Sequence, residues 1–352
     1  WWVFSLAVAG VVGYLGYRNI ELSSKALGVL LIAEIAIVVL IDVFVTGKGG
    51  DAGLNADPFL PENIFSGSMG VGLMMAMAGF IGFEATTVFR SEAKDPDRTI
   101  PRATYISVAV IGIFYTISGW AVVQAWGTDN VLAEATNDPD NMIANTARNF
   151  LGDWAGPVVD VLLLTSLFAC VLSFHNVLTR YQHAISHKRG LPRALRAVHL
   201  THRSPHMSSI VQTATILLLT AVCAVVGMDP VPEIFTWFSG LAPFTIVILM
   251  LLVSMAVVVW FRTRPDLTVS TWKRLVAPAL SFLGLGTALF FIVTNFTVLF
   301  GSASVAWIMA VSAPVVFVLG AVFATFVPEY DDKVITRNMA KRMARDKSGD
   351  QG

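Results

Sequence analysis

Apolar residues fill nine long stretches of this chain, and short polar segments separate them. A helix needs about 20 consecutive apolar residues to cross the roughly 30 Å of hydrocarbon in a bilayer. The pattern therefore predicts an all-helical polytopic membrane protein with nine transmembrane helices. These are expected at 2–16, 27–46, 68–89, 104–126, 156–179, 209–227, 234–261, 275–298 and 303–327.

The composition agrees with a membrane protein and excludes an ordinary soluble domain. Of 352 residues, 55% are hydrophobic and only 14% are charged, and the mean hydropathy is +0.68. The two cysteines, Cys170 and Cys223, both lie within predicted spans. A disulfide framework is therefore not expected.

The basic residues lie almost entirely on one side of the predicted membrane. All but two of the 24 Lys and Arg residues lie in the loops and the C-terminal segment of that side; the exceptions are Lys48 and Arg148. Loops rich in Lys and Arg are typically cytoplasmic. The asymmetry predicts a cytoplasmic C-terminus and sets the topology, and it does not indicate a nucleic-acid surface.

The third apolar stretch carries groups that are costly inside a bilayer. Residues 79–84 read GFIGFE, so Gly79, Gly82 and Glu84 all fall at membrane depth. A charged side chain at the bilayer centre costs roughly 2.5–3.5 kcal/mol on insertion scales. The stretch predicts a break in the helix between about 78 and 83, facing a cavity; the alternative is that the glycines only permit close helix packing.

The segments around this break resemble the amino acid–polyamine–organocation (APC) permease superfamily. Residues 79–84 match its broken sixth helix, and the following loop matches at SEAKDPDR (91–98) and TIPRA (99–103). Its eighth helix is similar to LFACVLSFHN (167–176) followed by TRY (179–181). The similarity extends over nearly the whole chain.

This resemblance implies a 5+5 inverted-repeat fold of the leucine-transporter type. The first span then corresponds to the fourth helix of the family, so we expect three helices to be missing at the N-terminal side. The implied parts are a transmembrane domain at 1–328, with a partial first repeat at 1–46, a complete second repeat at 68–261 and two extra helices at 275–327, and a cytoplasmic tail at 329–352.

The resemblance also implies which atoms bind substrate. Carbonyls at the end of a half-helix carry partial negative charge and suit an ammonium group. The matching residues are Ala78, Gly79 and Ile81, with Phe80 as an aromatic wall or gate and Gly82 within the break.

Two carboxylates at membrane depth are candidates for coupling or gating. Glu84 at the start of the second half-helix either caps it or carries a proton in the transport cycle. Glu34, in the second span, is expected to approach the fifth span near residues 173–176. It could bind a cation, take up a proton or pair with a basic residue, or it could be a neutral acid hydrogen-bonded between helices.

Two further groups are weaker candidates for coupling or gating. Ser173, His175 and Asn176 lie toward the inner half of the fifth span. A histidine there suggests a proton relay, although an imidazole satisfied by a nearby carbonyl is commoner. Trp237 and Phe238 are gate candidates or ordinary interfacial aromatic residues.

No nucleotide-binding, zinc or catalytic-triad motif occurs in the chain, so neither a cofactor nor ATP-driven transport is expected. The sequence favours a secondary transporter of the plasma membrane for an amino acid or related amine or polyamine. Either proton coupling or exchange would drive it, and sodium remains an alternative coupling ion. Two other classes stay open: an accessory membrane subunit, and a membrane-embedded enzyme using Glu34, Glu84 and His175.

Overall fold

A computed structural model describes most of the chain. The described residues are 1–18, 24–51, 53–88, 90, 93–187, 191–199, 204–264 and 269–326. The expected tail at 329–352 lies outside this part.

Within the described residues the protein consists of helices and connecting turns. The α-helices are α1 (Trp2–Tyr17), α2 (Ser24–Lys48), α3 (Pro61–Ile64), α4 (Met69–Ala78), α5 (Ala85–Val88), α6 (Pro96–Trp126), α7 (Val131–Asn137), α8 (Met142–Leu151), α9 (Ala155–His187), α10 (His206–Val226), α11 (Thr236–Arg262), α12 (Ala277–Thr294), α13 (Phe296–Phe300) and α14 (Ala303–Phe326). Short 3₁₀ turns lie at Asp57–Phe59 and Arg193–Arg196, and π-helical turns precede α11 and α12 at Pro230–Phe235 and Trp272–Val276.

Seven of the described helical segments are long and apolar enough to cross a membrane. They contain α2, α6, α9, α10, α11, α12 and α14. Two of the nine predicted spans are shorter: α1 has 16 residues, and the third span is interrupted after α4. The prediction of an all-helical polytopic protein is confirmed, whereas length and composition support seven spans and not nine.

The outer surface of the helices is apolar. Val225 is 89% exposed and Leu218 is 68% exposed, although both lie in the middle or last part of a very hydrophobic helix. Exposed apolar surface of this extent fits contact with lipid.

The interior is divided between two groups of packed side chains. One group joins α4, α11, α12 and α13 and includes Met74, Phe244, Ile292 and Phe296. The other joins α2, α6, α8 and α9 around Val45 and Ala147. The first group supports the start of the break, and the second supports α2, which carries Glu34.

The loop after α2 is tied to α6 by hydrogen bonds at the end of the bundle opposite the basic loops. Asn55 donates its backbone N–H to Gln124 Oε1 at 2.9 Å and accepts from the Trp120 indole at 3.0 Å. The backbone N–H of Asp51 donates to the Gln124 carbonyl at 3.0 Å. Because Gln124 is only 2% exposed, these bonds hold the loop against the body of α6.

Candidate functional site

The predicted break in the third span is present. Helix α4 ends at Ala78 and α5 begins at Ala85, with turns between them. Gly82 has a φ of +112°, which is a conformation that residues with a Cβ rarely adopt. The prediction that helical hydrogen bonding stops between 78 and 83 is confirmed.

Hydrogen bonds within the break span three residues instead of four. The Ala78 carbonyl accepts from Ile81 N–H at 3.1 Å, and the Phe80 carbonyl accepts from Phe83 N–H at 3.3 Å. Among the described residues, no backbone hydrogen bond reaches the carbonyls of Gly79 or Ile81. The resemblance implied the carbonyls of Ala78, Gly79 and Ile81 as substrate ligands; that of Ala78 accepts a hydrogen bond within the turn, so two of the three have no backbone partner among the described residues.

The break is enclosed by α6 on one side and by α9 on another. A Cβ built on Gly79 would overlap the Tyr115 ring of α6, so only glycine permits this approach. A Cβ built on Gly112 of α6 would lie 3.5 Å from the Phe80 ring. Phe80 therefore packs on α6, and that contact positions the turn.

An apolar cavity of about 440 Å³ lies beside the break. Phe80, Ile81 and Phe83 line it from the break, and Tyr105 and Val247 line it from α6 and α11. The expectation that the break faces a cavity is therefore met, with a lining made almost wholly of apolar side chains.

The Glu84 side chain closes the break by accepting a hydrogen bond from the backbone of Gly82, two residues earlier. Its Oε2 accepts the backbone N–H of Gly82 at 2.9 Å, and its side chain is half-buried. The sequence analysis expected a possible cap on the second half-helix, but the bond goes to an N–H before that helix. Glu84 thus stabilises the turn itself, while Thr87 donates its hydroxyl to the Glu84 carbonyl at 2.7 Å.

Glu34 contacts α9, although not where the sequence analysis placed it. Its Oε2 accepts from the Ser166 hydroxyl at 3.0 Å. Ser166 lies seven residues before Ser173, or about 10 Å along the helix axis. The predicted approach to residues 173–176 is therefore wrong by two turns, because the helices are offset along their axes. A cavity of about 200 Å³ lies beside Glu34 and Ser166.

The polar residues of α9 at 173–176 point in different directions. Ser173 is exposed, whereas His175 is only 1% exposed. The His175 Nε2 lies 3.0 Å from the Ser209 hydroxyl of α10, and the ring packs against Gly16 of α1. Asn176 is half-buried and also approaches Gly16. The imidazole partner is therefore a hydroxyl, where a carbonyl was the commoner expectation.

The two gate candidates of α11 lie beside the apolar interior. Trp237 packs against the group that contains Met74 and Phe296, with its ring centroid 6.4 Å from that of Phe300. Phe238 is half-buried. Trp237 thus lies near α13 and beside the packed group that includes Met74 of α4.

The sequence analysis missed an acid in the second span. Asp42 lies in α2 and is 8% exposed, and its Oδ2 accepts from the Ser118 hydroxyl of α6 at 2.7 Å. The signal was available, since Asp42 falls inside the predicted span 27–46 just as Glu34 does.

Known proteins with similar sequences are transporters. An uncharacterized transporter of Mycobacterium tuberculosis is 25% identical over 228 residues, which cover 63% of this chain and 50% of that protein. The branched-chain amino acid permease BcaP of Bacillus subtilis is 23% identical over 75% of this chain and 52% of its own length. The cadaverine/lysine antiporter of Escherichia coli is 32% identical over 101 residues, 29% of this chain and 21% of the antiporter. The chain thus spans about half the length of the first two relatives.

A family model described as amino acid permease matches residues 1–339. This match contains every span, the break with its two carbonyls and the helix that carries His175. Together with the broken helix and the transporter relatives, it shows that the chain belongs to the amino acid permease family.

Proposed function

We propose that this protein is a secondary active transporter that moves an amino acid or a related amine across the cytoplasmic membrane. The observation that carries the proposal is the break at residues 79–84, with two carbonyls that have no backbone partner among the described residues. Irregular backbone at membrane depth is tolerated where it is buried or lines a cavity, and discontinuous helices form the substrate sites of many secondary transporters.

The break supplies the chemistry that an ammonium group needs. The carbonyls of Gly79 and Ile81 lie just after the C-terminal end of α4, where the helix dipole adds partial negative charge. Phe80 lies between them and forms an apolar wall beside the cavity. A substrate amine would bind these two oxygens and release its water.

We assign coupling to two carboxylates: Glu84, which lies at the end of the break, and Glu34, which contacts α9. Glu84 binds the turn through Gly82, so a change in its charge would alter the hydrogen bond that closes the break. Glu34 lies half-buried at the contact of α2 and α9. We assign proton coupling or exchange to these acids, with the transport cycle alternating access around the break.

Membership of the family supports a proposal for the wider arrangement. We propose that 68–261 forms a complete second repeat and 1–46 part of a first one in an inverted-repeat fold, with α1 and the α4–α5 pair as two further membrane elements. The basic loops and the C-terminus would face the cytoplasm, in line with the charge asymmetry.

The relatives suggest two substrate classes to compare. One relative is named a branched-chain amino acid permease, and another is named a cadaverine/lysine antiporter. We propose amino acids first and diamines second, because the cavity beside the break is lined by apolar side chains and by no acid.

The test is uptake by the protein that the complete gene encodes, reconstituted in proteoliposomes. Radiolabelled branched-chain amino acids, lysine and cadaverine are each presented with and without a pH gradient or internal substrate. We expect saturable uptake of at least one of them and competition by unlabelled substrate. Correctly folded protein that transports none of them under either condition would contradict the proposal.

A further inference from the structure

Asp42 is a carboxyl group that the coupling scheme above leaves unused. Within the described part of the chain it is the one buried acidic side chain, at 8% exposure. It lies six residues before the end of α2 at Lys48, or about 9 Å along the helix axis. It is thus in the half of the membrane opposite the basic loops, about 12 Å from Glu34 along the same helix.

The two oxygens of Asp42 have different surroundings. Oδ2 accepts from the Ser118 hydroxyl at 2.7 Å. Oδ1 is buried and has no hydrogen-bond partner among the described residues. An ionised carboxylate accepts about four hydrogen bonds, so this site satisfies only a fraction of its capacity. A buried carboxylate in that state is costly, and protonation of Oδ1 would remove the charge.

The nearby cations do not neutralise Asp42. Lys48 donates its Nζ to the Phe150 carbonyl at 2.8 Å. Arg148 of α8 lies 3.5 Å from the carboxylate of Asp160, which belongs to α9. Both basic residues at this end of the bundle are thus engaged elsewhere, and no ion pair to Asp42 occurs in the described structure.

The remaining titratable groups around α2 are also accounted for. Tyr115 of α6 packs on Gly79. Glu34 accepts a hydrogen bond from Ser166 where α2 contacts α9. Asp51, in the loop after α2, is exposed. None of these supplies a positive charge, so Asp42 has no countercharge from α2, α6, α8 or α9 among the described residues.

We propose that Asp42 is a proton-binding site in the half of the membrane opposite the basic loops. A proton binds Oδ1 while Ser118 continues to donate to Oδ2. A metal cation would need several oxygen ligands, whereas the described side-chain oxygen bonded to this carboxyl is that of Ser118 alone. The protonation stands by itself, and its link to substrate movement rests on the proposed transport function.

The geometry around Asp42 favours protonation of its carboxyl without separation of α2 from α6. The loop that follows α2 is held to α6 through Asn55 and Gln124, a few turns beyond the Asp42–Ser118 contact. The two helices are therefore fixed to each other on this side, and the carboxyl can gain or lose a proton without losing Ser118.

The first test is infrared spectroscopy of the protein encoded by the complete gene, in lipid, as a function of pH. The variant Asp42→Asn keeps an oxygen that can accept from Ser118 but cannot titrate. We expect the C=O band of a protonated carboxyl at neutral pH in the wild type, loss of that band in Asp42→Asn, and no change in the exposed control Asp51→Asn. A band of undiminished intensity in a folded Asp42→Asn protein would overturn the proposal.

A second variant covers the case in which Asp42→Asn fails to fold. Ser118→Ala retains the acid and removes its donor, so the same band should persist at a shifted frequency. An unshifted band would show that the protonated carboxyl lies elsewhere and would contradict the assignment.

Uptake measurements then distinguish protonation of Asp42 from a role of that proton in transport. If Asp42 delivers protons to the cycle, substrate uptake should lose its pH response in Asp42→Asn and keep it in Asp51→Asn. An unchanged pH response in Asp42→Asn would reject its role in coupling. Absence of any wild-type uptake would instead reject the transport function, while the infrared band would still decide whether Asp42 holds a proton.

Discussion

The Oε2 of Glu84 accepts a hydrogen bond from the backbone N–H of Gly82 at 2.9 Å, across the turn that joins α4 to α5. The acceptor thus follows its donor by two residues, and the bond closes a loop at the only positive φ within the break. The turn requires an oxygen acceptor at this position; a negative charge on that oxygen strengthens the bond but is not required for it.

This relationship predicts different results for two substitutions of Glu84. Glu84→Gln keeps an amide oxygen for the Gly82 N–H and should leave stability almost unchanged. Glu84→Ala removes the acceptor and should lower the free energy of unfolding by about 0.5–1.5 kcal/mol, the net contribution of a typical hydrogen bond, because the Gly82 donor is only half-buried. Thermal unfolding in detergent or lipid measures both.

The exposed acid Glu62 provides the control, since Glu62→Ala removes a carboxylate from a short surface helix and should have no measurable effect. Equal stability of Glu84→Ala and Glu84→Gln would show that the bond contributes little. If Glu84 also carries a proton, uptake by Glu84→Gln should lose its pH response at unchanged stability.

Gly82→Ala should impair the break directly. Its φ of +112° is strained for any residue with a Cβ, at a cost of about 1 kcal/mol or more. We expect weaker substrate binding as well as lower stability, because the carbonyl of Ile81 would be displaced. A scintillation proximity assay with labelled substrate measures the binding.

Gly119→Ala is the matched control for Gly82→Ala. Gly119 lies within α6, and a Cβ there meets no atom within 4 Å. It should bind substrate like the wild type and be slightly more stable. Normal binding by Gly82→Ala would remove the turn from the substrate site.

Glu34→Gln should alter coupling more than folding. Its amide oxygen can still accept from Ser166 Oγ, so the contact of α2 with α9 is kept while titration is lost. The expected result is uptake that no longer responds to a pH gradient, at an unfolding temperature close to that of the wild type.

Ser166→Ala separates the hydrogen bond from the charge. This variant leaves the acid but removes its donor, so uptake should stay pH-dependent with a displaced midpoint. Should Glu34→Gln retain the full response of uptake to pH, Glu34 is a structural acid between two helices.

Gly16→Ala should destabilise the protein through overpacking. A methyl group at Gly16 would overlap the buried His175 ring, and forcing a group into a packed core costs typically about 1–3 kcal/mol. Gly10→Ala on the same helix meets no atom within 4 Å and should be neutral or stabilising. Chemical unfolding of the two variants gives the comparison, and equal stabilities would show that α1 does not pack on His175.

The break was predictable from sequence because its cause is local. Gly79 and Gly82 weaken the helix at their own positions, whatever surrounds them, and Glu84 adds a charge that is costly at membrane depth. The same reasoning could not give the state of the Ala78 carbonyl, because that depends on the tighter turns that the chain adopts after the helix ends.

Contacts between helices were harder to predict than the helices themselves. Residues seven apart lie on nearly the same face of a helix. Ser166 and Ser173 are therefore alternative partners for Glu34, and they differ by a shift of two turns of α2 along α9. The sequence set the partner helix of Glu34 through the family resemblance, but the axial offset of α2 and α9 depends on packing around Val45 and Ala155. Asp42 was missed because its burial and its bond to Ser118 arise from the packing of α2 on α6, which the sequence alone does not show.

The hydrogen bonds from Asn55 and Asp51 to α6 have a mechanical consequence. Because a loop anchored at Gln124 and Trp120 ties the end of α2 to α6, the two helices cannot swing independently at that end. In any rocking motion, α2 and α6 must then move together as one rigid pair. The largest displacement would occur at the opposite, basic ends of both helices.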